Sequence, residues 1–185
     1  MGGAVSLSTA SGILGGCKVG PRSEPFVPKT LTSDQNELVT VVSELIIPET
    51  DTGGAQAARV NEFIDKMLTD WYREEDKQRF LTGLTELDVR AAKVDGKPFV
   101  QLSGEQQVQM LEELEAERVQ WREMVMAKEG EAGLGTPPFF EMMRELTIAG
   151  YYTSEIGASE ELRHEMIFSS YEGDVPYDEI GRAWS

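Results

Sequence analysis

The sequence predicts an all-α protein: a single helical domain of about five to six helices, with a loop-rich C-terminal tail and a flexible N-terminal leader. From residue 31 onward, apolar residues recur every three or four positions, which is the period of helices buried on one side. Capping side chains and prolines stand where these periodic runs begin and end. Gly- and Pro-rich connections separate the runs.

The leader, residues 1–17, contains no charged residue and ends in Gly15, Gly16 and Cys17. It resembles the end of a bacterial export signal, and its last four residues resemble a lipoprotein processing box. We therefore expect an export-signal remnant with a lipid on Cys17. Because the apolar part is mild, twin-arginine export is favoured, with the Arg pair upstream of Met1. The alternative is a small-residue leader that ends in a chance cysteine.

Residues 18–30 are predicted to be a linker, because their prolines prevent regular structure. The helical domain, residues 31–185, is expected to begin with a helix at Thr32, where Gln35 completes a capping box. Its apolar stripe is Leu38, Val42 and Leu45, and Pro48 ends the helix. Asp and Thr side chains of the connection that follows, residues 46–55, are expected to cap the second helix.

The second helix has the clearest apolar stripe of the chain: Val60, Phe63, Ile64, Met67 and Leu68. After a break at residues 70–74, a third helix is predicted to turn four residues inward: Phe80, Leu84, Leu87 and Ala91. Residues 95–98 indicate a turn, and residues 99–102 a short extended piece.

The longest helix is predicted to be capped by Ser103 with Gln106. Arg118 lies on its apolar stripe, where the long stem can pack while the guanidinium reaches a carboxylate. The other members of the stripe are Leu111, Leu114, Trp121 and Val125. Residues 129–135 indicate a flexible loop.

A further helix is predicted after that loop, with Thr136 as its cap and Pro137 at its first position. Phe139, Met143 and Leu146 form its stripe, which ends near residues 150–152. A short helix is predicted from Ser159 to Phe168. The tail from residue 169 has no clear periodicity.

Composition excludes several classes of function. Asp and Glu number 33 against 17 Lys and Arg, so the formal net charge of −16 argues against nucleic acid and disfavours docking on anionic lipid. It suits a soluble protein or a partner with a basic surface. One Cys and one His exclude an intrachain disulfide, a c-type haem site, an iron–sulfur cluster and a structural zinc site. A dinucleotide fold is unsupported, since no Gly-x-Gly-x-x-Gly follows a strand-like run.

Two candidate sites involve charged residues. Glu161 and His164 have the Glu-x-x-His spacing of di-iron bundles, but such bundles need the motif twice, so His164 is expected to be an ordinary histidine. Glu141 and Glu145, one helical turn apart, could act as an acid–base pair, although such pairs are usually surface residues. The Glu-rich face of residues 112–123 is interpreted as solvated.

Residues 147–157 are more unusual, because Gly150 and Gly157 bracket Tyr151, Tyr152 and Ser154. Gly150 permits a helix end or a close backbone approach. Tyrosine pairs often mark interfaces, yet core aromatics at a helix end are equally expected. Both interpretations hold if one tyrosine packs inward and the other faces a partner.

Four segments together resemble the gluconate 2-dehydrogenase subunit 3 family: residues 45–55, 60–65, 139–157 and 181–184. The resemblance covers about residues 31–185. The chain departs from the family pattern at Gly53, where many relatives have Pro. Residues 171–177 are also looser than the late Pro-Gly-x-Tyr turn of many relatives.

This resemblance implies a small subunit that carries no cofactor and binds a large GMC-type flavoprotein. FAD is then expected on that subunit and haem c on a cytochrome c subunit. The expected role is non-catalytic: assembly and twin-arginine export of a dehydrogenase that oxidises gluconate or a related sugar or polyol, in the periplasm, with membrane association through the complex or the lipid. The hypothesised partner-binding residues are Pro48, Thr50, Asp51, Gly54, Gly150, Tyr151, Tyr152, Ser154 and Gly157.

Two alternatives remain open. One is a stand-alone, lipid-tethered periplasmic binding protein with a pocket between helices. The other is an enzyme that uses a carboxylate pair.

Overall fold

The computed structural model describes residues 25–127 and 136–163, together with residues 174, 176, 178 and 181–183. These residues contain five α-helices and no β-strand, which confirms the all-α prediction. The helices are α1 Ser33–Ile46, α2 Val60–Asp70, α3 Glu74–Asp95, α4 Gly104–Ala127 and α5 Phe139–Tyr152. A 3-10 helix, Phe99–Gln101, joins α3 to α4, and a π-helical turn, Gly157–Glu161, follows α5.

Helix α5 lies at the centre of the packing and contacts each of the other four α-helices. Its residues Phe140, Met143, Leu146 and Tyr151 are buried in the common core. The stripes predicted for the first three helices also face this core, where their most deeply buried members are Leu38, Val42, Val60, Ile64, Leu68, Phe80, Leu84, Leu87 and Ala91. Each helix therefore removes one apolar face from water, which is the main stabilising contribution to such a fold.

Two helix starts follow the sequence prediction closely. At α1, the Gln35 N–H donates to Thr32 Oγ1 at 3.2 Å, and the Thr32 N–H donates to Gln35 Oε1 at 3.0 Å. Ser103 and Gln106 form the same reciprocal pair ahead of α4, at 3.3 and 3.0 Å. Both capping boxes are confirmed.

The predicted caps of α2 and α5 are wrong. Helix α2 begins after Arg59, which has a left-handed backbone (φ 55°) and makes no side-chain capping bond. Helix α5 begins at Phe139, and Pro138 before it likewise makes no side-chain cap. Pro137 therefore lies outside the helix, because a residue that precedes a proline is held away from the helical region.

Residues 99–102 form a 3-10 turn and not the predicted extended piece. Phe99 and Leu102 are both buried, and the 3-10 turn places side chains three positions apart on the same side. An extended chain would point them to opposite faces. The turn is held in place because the Phe99 N–H donates to Asp88 Oδ1, and the Phe99 carbonyl accepts from Gln107 Nε2, both at 2.9 Å.

The helix predicted from Ser159 to Phe168 is wrong over the part that the structure describes. The chain turns helically from Glu155 and ends its π-helical turn at Glu161. Leu162 is extended, and the Arg163 N–H donates to the carbonyl of Ala183 at 2.7 Å. Residues 164–168 lie outside the described residues, as do Cys17, residues 129–135 and Trp184.

Residues 29–31, at the end of the predicted linker, are attached to the domain through Asp65. Its buried carboxylate accepts hydrogen bonds from the backbone N–H groups of Lys29, Thr30 and Leu31, each at 2.9 Å. Of the helices in the described ranges, none is sufficiently long and apolar to cross a membrane.

Candidate functional site

The turn before α2 and the end of α5, both predicted from sequence to contact a partner, lie against each other. The Tyr151 hydroxyl donates to the carbonyl of Gly53 at 2.9 Å and lies 3.4 Å from Thr52 Oγ1. The Thr52 hydroxyl donates to Glu161 Oε2 at 2.9 Å. These bonds join the turn, α5 and the π-helical turn into one surface, which we call the turn face and define as residues 48–54 and 150–157.

Two glycines of the turn face are needed for steric reasons. A Cβ at Gly54 would overlap the Glu44 carboxylate, which already accepts the N–H groups of Glu49 and Gln56 at 2.9 and 2.8 Å. A Cβ at Gly157 would overlap the carbonyl oxygen of Tyr151. The Glu44 carboxylate is held by two backbone N–H groups, and the Tyr151 carbonyl is part of the backbone. Because neither group can move aside, any side chain at Gly54 or Gly157 would force the turns apart.

Gly150 permits the close approach that the sequence suggested. A Cβ at Gly150 would lie 2.8 Å from Cδ1 of Phe63, so its absence lets α2 and α5 pack closely. This contact lies at the start of α2 and near the end of α5, which places the turn face where the two helices pack together.

The two adjacent tyrosines have different environments. Tyr151 is 2% exposed, whereas Tyr152 is 40% exposed and its ring meets the edge of Tyr151 at a centroid distance of 5.3 Å. Ser154 supports the turn below them, since its hydroxyl donates to the Tyr151 carbonyl at 2.6 Å and accepts from the Gly157 N–H at 3.0 Å. Tyr152 therefore projects from a firmly hydrogen-bonded support.

The nine hypothesised partner-binding residues separate into two groups. Four are exposed: Pro48, Thr50, Asp51 and Tyr152. Four are buried, namely Gly54, Gly150, Tyr151 and Gly157, and Ser154 is half-buried. Direct contact with a partner is therefore open to the exposed group, and the other five build the surface that presents it. Partner binding itself stays a prediction.

A cluster of charged residues between α4 and α5 was not expected from the sequence. Glu141, interpreted above as a surface residue, is only 4% exposed. Its Oε2 accepts from Arg118 Nη1 at 3.0 Å, and its Oε1 accepts from Arg122 Nε at 2.8 Å. Arg118 is buried as predicted on the stripe, and it also donates twice to the Glu115 carboxylate at 2.6 Å. The sequence did contain a signal for this cluster. Two Arg lie one turn apart on α4, and two Glu lie one turn apart on α5, so the two pairs could have been matched across the helix contact.

Both glutamates bound by Arg118 are shifted toward ionisation. Burial opposes ionisation of Glu141, but hydrogen bonds from Arg118 and Arg122 outweigh it and lower its pKa below the ordinary value of 4.5. Hydrogen bonds from Arg118 lower the pKa of Glu115 in the same way. Because both Glu141 oxygens are occupied and the group stays ionised, it is poorly suited to donate a proton. The geometry therefore disfavours the Glu141–Glu145 pair as an acid–base site.

The Glu161–His164 candidate falls only partly within the described residues. Glu161 accepts the Thr52 hydroxyl, and His164 lies outside the described residues. Within the described ranges, no group of three or more His, Cys, Asp or Glu side chains is arranged to hold a metal ion.

Comparison with known proteins gives one match. A model of the family described as gluconate 2-dehydrogenase subunit 3 matches residues 33–169, which is most of the chain. The matched range contains all five α-helices and the whole turn face. Neither a search of curated proteins nor one of solved structures found a match.

Proposed function

The chain belongs to the gluconate 2-dehydrogenase subunit 3 family, and on that premise we propose that it is a non-catalytic small subunit of a flavin-dependent dehydrogenase complex. The family is a subunit of a gluconate dehydrogenase, which implies partner subunits. In this proposal the main partner is a large GMC-type flavoprotein that carries FAD and oxidises gluconate or a related sugar or polyol. A cytochrome c subunit with haem c accepts the electrons.

The observation that carries the proposal is the construction of the turn face. Tyr151 and Gly53 belong to the two segments that resemble the family signatures, and they are bonded although 98 positions separate them. The bonded turn holds the exposed Tyr152 in place before any partner arrives, which lowers the entropic cost of association. Tyrosine is also among the residues enriched at protein interfaces.

The proposal extends to location, and this part of it rests on the leader alone. Residues 1–17 support export of the chain to the periplasm by the twin-arginine route, with the large subunit carried along. Lipid attachment at Cys17 would add a membrane anchor to the association with the complex. Mass spectrometry of the mature N-terminus tests this part: a chain that starts at an unmodified residue other than Cys17 would contradict lipidation.

The experiment for the turn face compares two aromatic truncations in the full-length, tagged chain isolated from membranes. Tyr152→Ala is expected to lower the co-purified flavin and haem about tenfold, because a central interface aromatic often contributes more than 1.4 kcal/mol. Trp71→Ala is the matched control, since Trp71 is 75% exposed but lies between α2 and α3, away from the turn face. Helicity should be unchanged in both variants.

The possible outcomes are distinct. A wild-type chain that purifies as a lone, colourless monomer contradicts the subunit proposal. Normal recovery of flavin with Tyr152→Ala contradicts the turn face as the contact. The alternative, a stand-alone binding protein, would instead require a small-molecule site, and the described part of the chain has an open groove of about 390 Å³ between α1 and α3.

A further inference from the structure

A second surface, separate from the turn face, has the character of a protein-binding groove. We infer that the groove between the end of α1 and α4 receives an apolar segment of the large flavoprotein subunit, flanked on that segment by Lys or Arg. This inference rests on the proposed function. We call this surface the α1–α4 groove.

The floor of the α1–α4 groove is apolar. It is formed by Leu45 and Ile46 at the end of α1, Val108 and Leu111 on α4, and Phe140 on α5, and it encloses about 250 Å³. Val108 is 44% exposed, so the residues that the structure describes leave much of this side chain uncovered. This floor has the apolar character of the buried core of a protein–protein interface.

The charges at the edge of the groove indicate which kind of molecule covers it. Glu112 is exposed at this edge, and no ion pair engages it within the part of the chain that the structure describes. Glu115 lies beside it but is already held by Arg118, and its pKa is further lowered by Arg144 on the opposite wall. A basic side chain on the incoming segment therefore finds an exposed carboxylate at Glu112 that no described residue pairs with.

The net charge of the chain argues against a second copy as the occupant. Two copies would bring together chains of formal net charge −16, which repel each other. A different subunit with basic residues around an apolar patch has the complementary charge. The groove therefore fits a hetero-complex better than a homodimer.

Continuity with the turn face indicates that the same partner reaches both surfaces. Ile46 ends α1 only two residues before Pro48, the first residue of the turn face.

The exposed surface also continues along α4, away from the turn face. Val119 and Met126 follow Val108 on α4 by 11 and 18 residues, and helical geometry places all three on one flank. Val119 is 40% exposed and Met126 is 68% exposed. At 1.5 Å per residue this flank is about 27 Å long, enough for a helical segment of the partner.

The test uses charge substitutions at exposed positions of the full-length chain, co-expressed with its flavoprotein subunit. Val108→Lys is expected to weaken binding of the flavoprotein at least about tenfold, because it introduces a cation on the apolar floor. Val94→Lys is the matched control: Val94 is 59% exposed near the end of α3 and does not line the groove, so binding should stay within about twofold. Glu112→Lys should weaken binding and reduce its dependence on salt.

Each outcome either supports or overturns the inference. If the wild-type chain captures the flavoprotein and Tyr152→Ala weakens capture, but Val108→Lys and Glu112→Lys bind normally, the groove is not a contact and the proposed function still stands. If the wild-type chain captures no flavoprotein, both fail. If the free chain forms dimers that Val108→Lys dissociates, the occupant is a second copy and the inference is wrong. If Val108→Lys lowers the melting temperature, weaker binding could reflect damage to the fold. Binding by Glu112→Lys, a substitution at an exposed site, then decides whether the groove is a contact.

Discussion

At the scale of single residues, adjacent side chains of the same type perform different tasks. Tyr151 is buried and its hydroxyl donates to Gly53, whereas Tyr152 is exposed and makes an edge contact with the ring beside it. The sequence indicated that one tyrosine would point inward, but it contained no signal for which one. Truncating Tyr151 would therefore damage the fold itself, and only Tyr152 gives a clean test of partner binding.

A first prediction concerns the Tyr151 hydroxyl. Tyr151→Phe is expected to lower the free energy of unfolding by about 1–2 kcal/mol, because the Gly53 carbonyl loses its donor in a mostly buried site. Urea unfolding followed by circular dichroism measures this change. Tyr152→Phe is the control and should change stability by less than about 0.5 kcal/mol, as expected for a surface substitution. Equal stabilities for both variants would mean that the hydrogen bond does not support the turn face.

At the scale of elements, the contact between α4 and α5 depends on charge as well as on apolar packing. Arg118 occupies a buried position on the stripe of α4, and Glu141 occupies a buried position in the first turn of α5. Either ion alone would be costly to bury, but here Arg118 donates a hydrogen bond to the Glu141 carboxylate and the two charges offset each other. Arg122 and Glu115 complete the pairing from positions that reach solvent.

A second prediction follows for Glu141. Glu141→Gln should lower the free energy of unfolding by about 2 kcal/mol at neutral pH, because it removes one of the two carboxylates that pair with the buried Arg118 and leaves only Glu115. Glu145→Gln is the matched control. Glu145 is one turn further along α5, its side chain is 62% exposed, and it lies 3.8 Å from Arg122, so the loss there should stay below about 1 kcal/mol.

The same pair predicts a dependence of stability on pH. The pKa of Glu141 is lower in the folded chain than its ordinary value of 4.5, so its contribution is complete above about pH 4.5. Stability should then fall as the pH drops through the lowered pKa of the folded state. Thermal melts between about pH 3 and 7 should show a smaller acid loss for Glu141→Gln than for the wild-type chain. Identical pH profiles would contradict this assignment.

At the scale of the whole molecule, the dominant property is the formal net charge of −16. Such a surface attracts a basic partner at long range. Salt shortens that range, because the Debye screening length falls from about 30 Å at 0.01 M to about 8 Å at 0.15 M ionic strength. This agrees with the unpaired Glu112 at the edge of the α1–α4 groove. It also opposes self-association of the chain.

A further prediction concerns this charge. Binding of the flavoprotein subunit should weaken as the salt concentration rises, mainly through a slower association rate, because long-range attraction is screened. Stopped-flow or surface-based kinetics at several ionic strengths measure the effect. An association rate that is independent of salt would show that the acidic surface does not guide the partner.

The sequence by itself determined much of the secondary structure and the family. The helices, the capping boxes at Thr32 and Ser103, and the inward stripes of the first three helices depend on residues within a turn or two of one another. Such short-range signals can be recognised without knowledge of the rest of the chain. Arg118 was also predicted, because its position on an apolar stripe required a nearby carboxylate.

Tertiary structure alone decided the features that depend on distant neighbours. The burial of Glu141 depends on Arg118, 23 positions away, and the different roles of the tyrosines depend on Gly53, 98 positions from Tyr151. The 3-10 turn at Phe99 likewise depends on hydrogen bonds with Asp88 on α3 and Gln107 on α4. Burial and hydrogen bonding are properties of the space around a side chain, and residues remote in sequence fill that space. The local pattern therefore located these segments, and packing assigned their individual side chains.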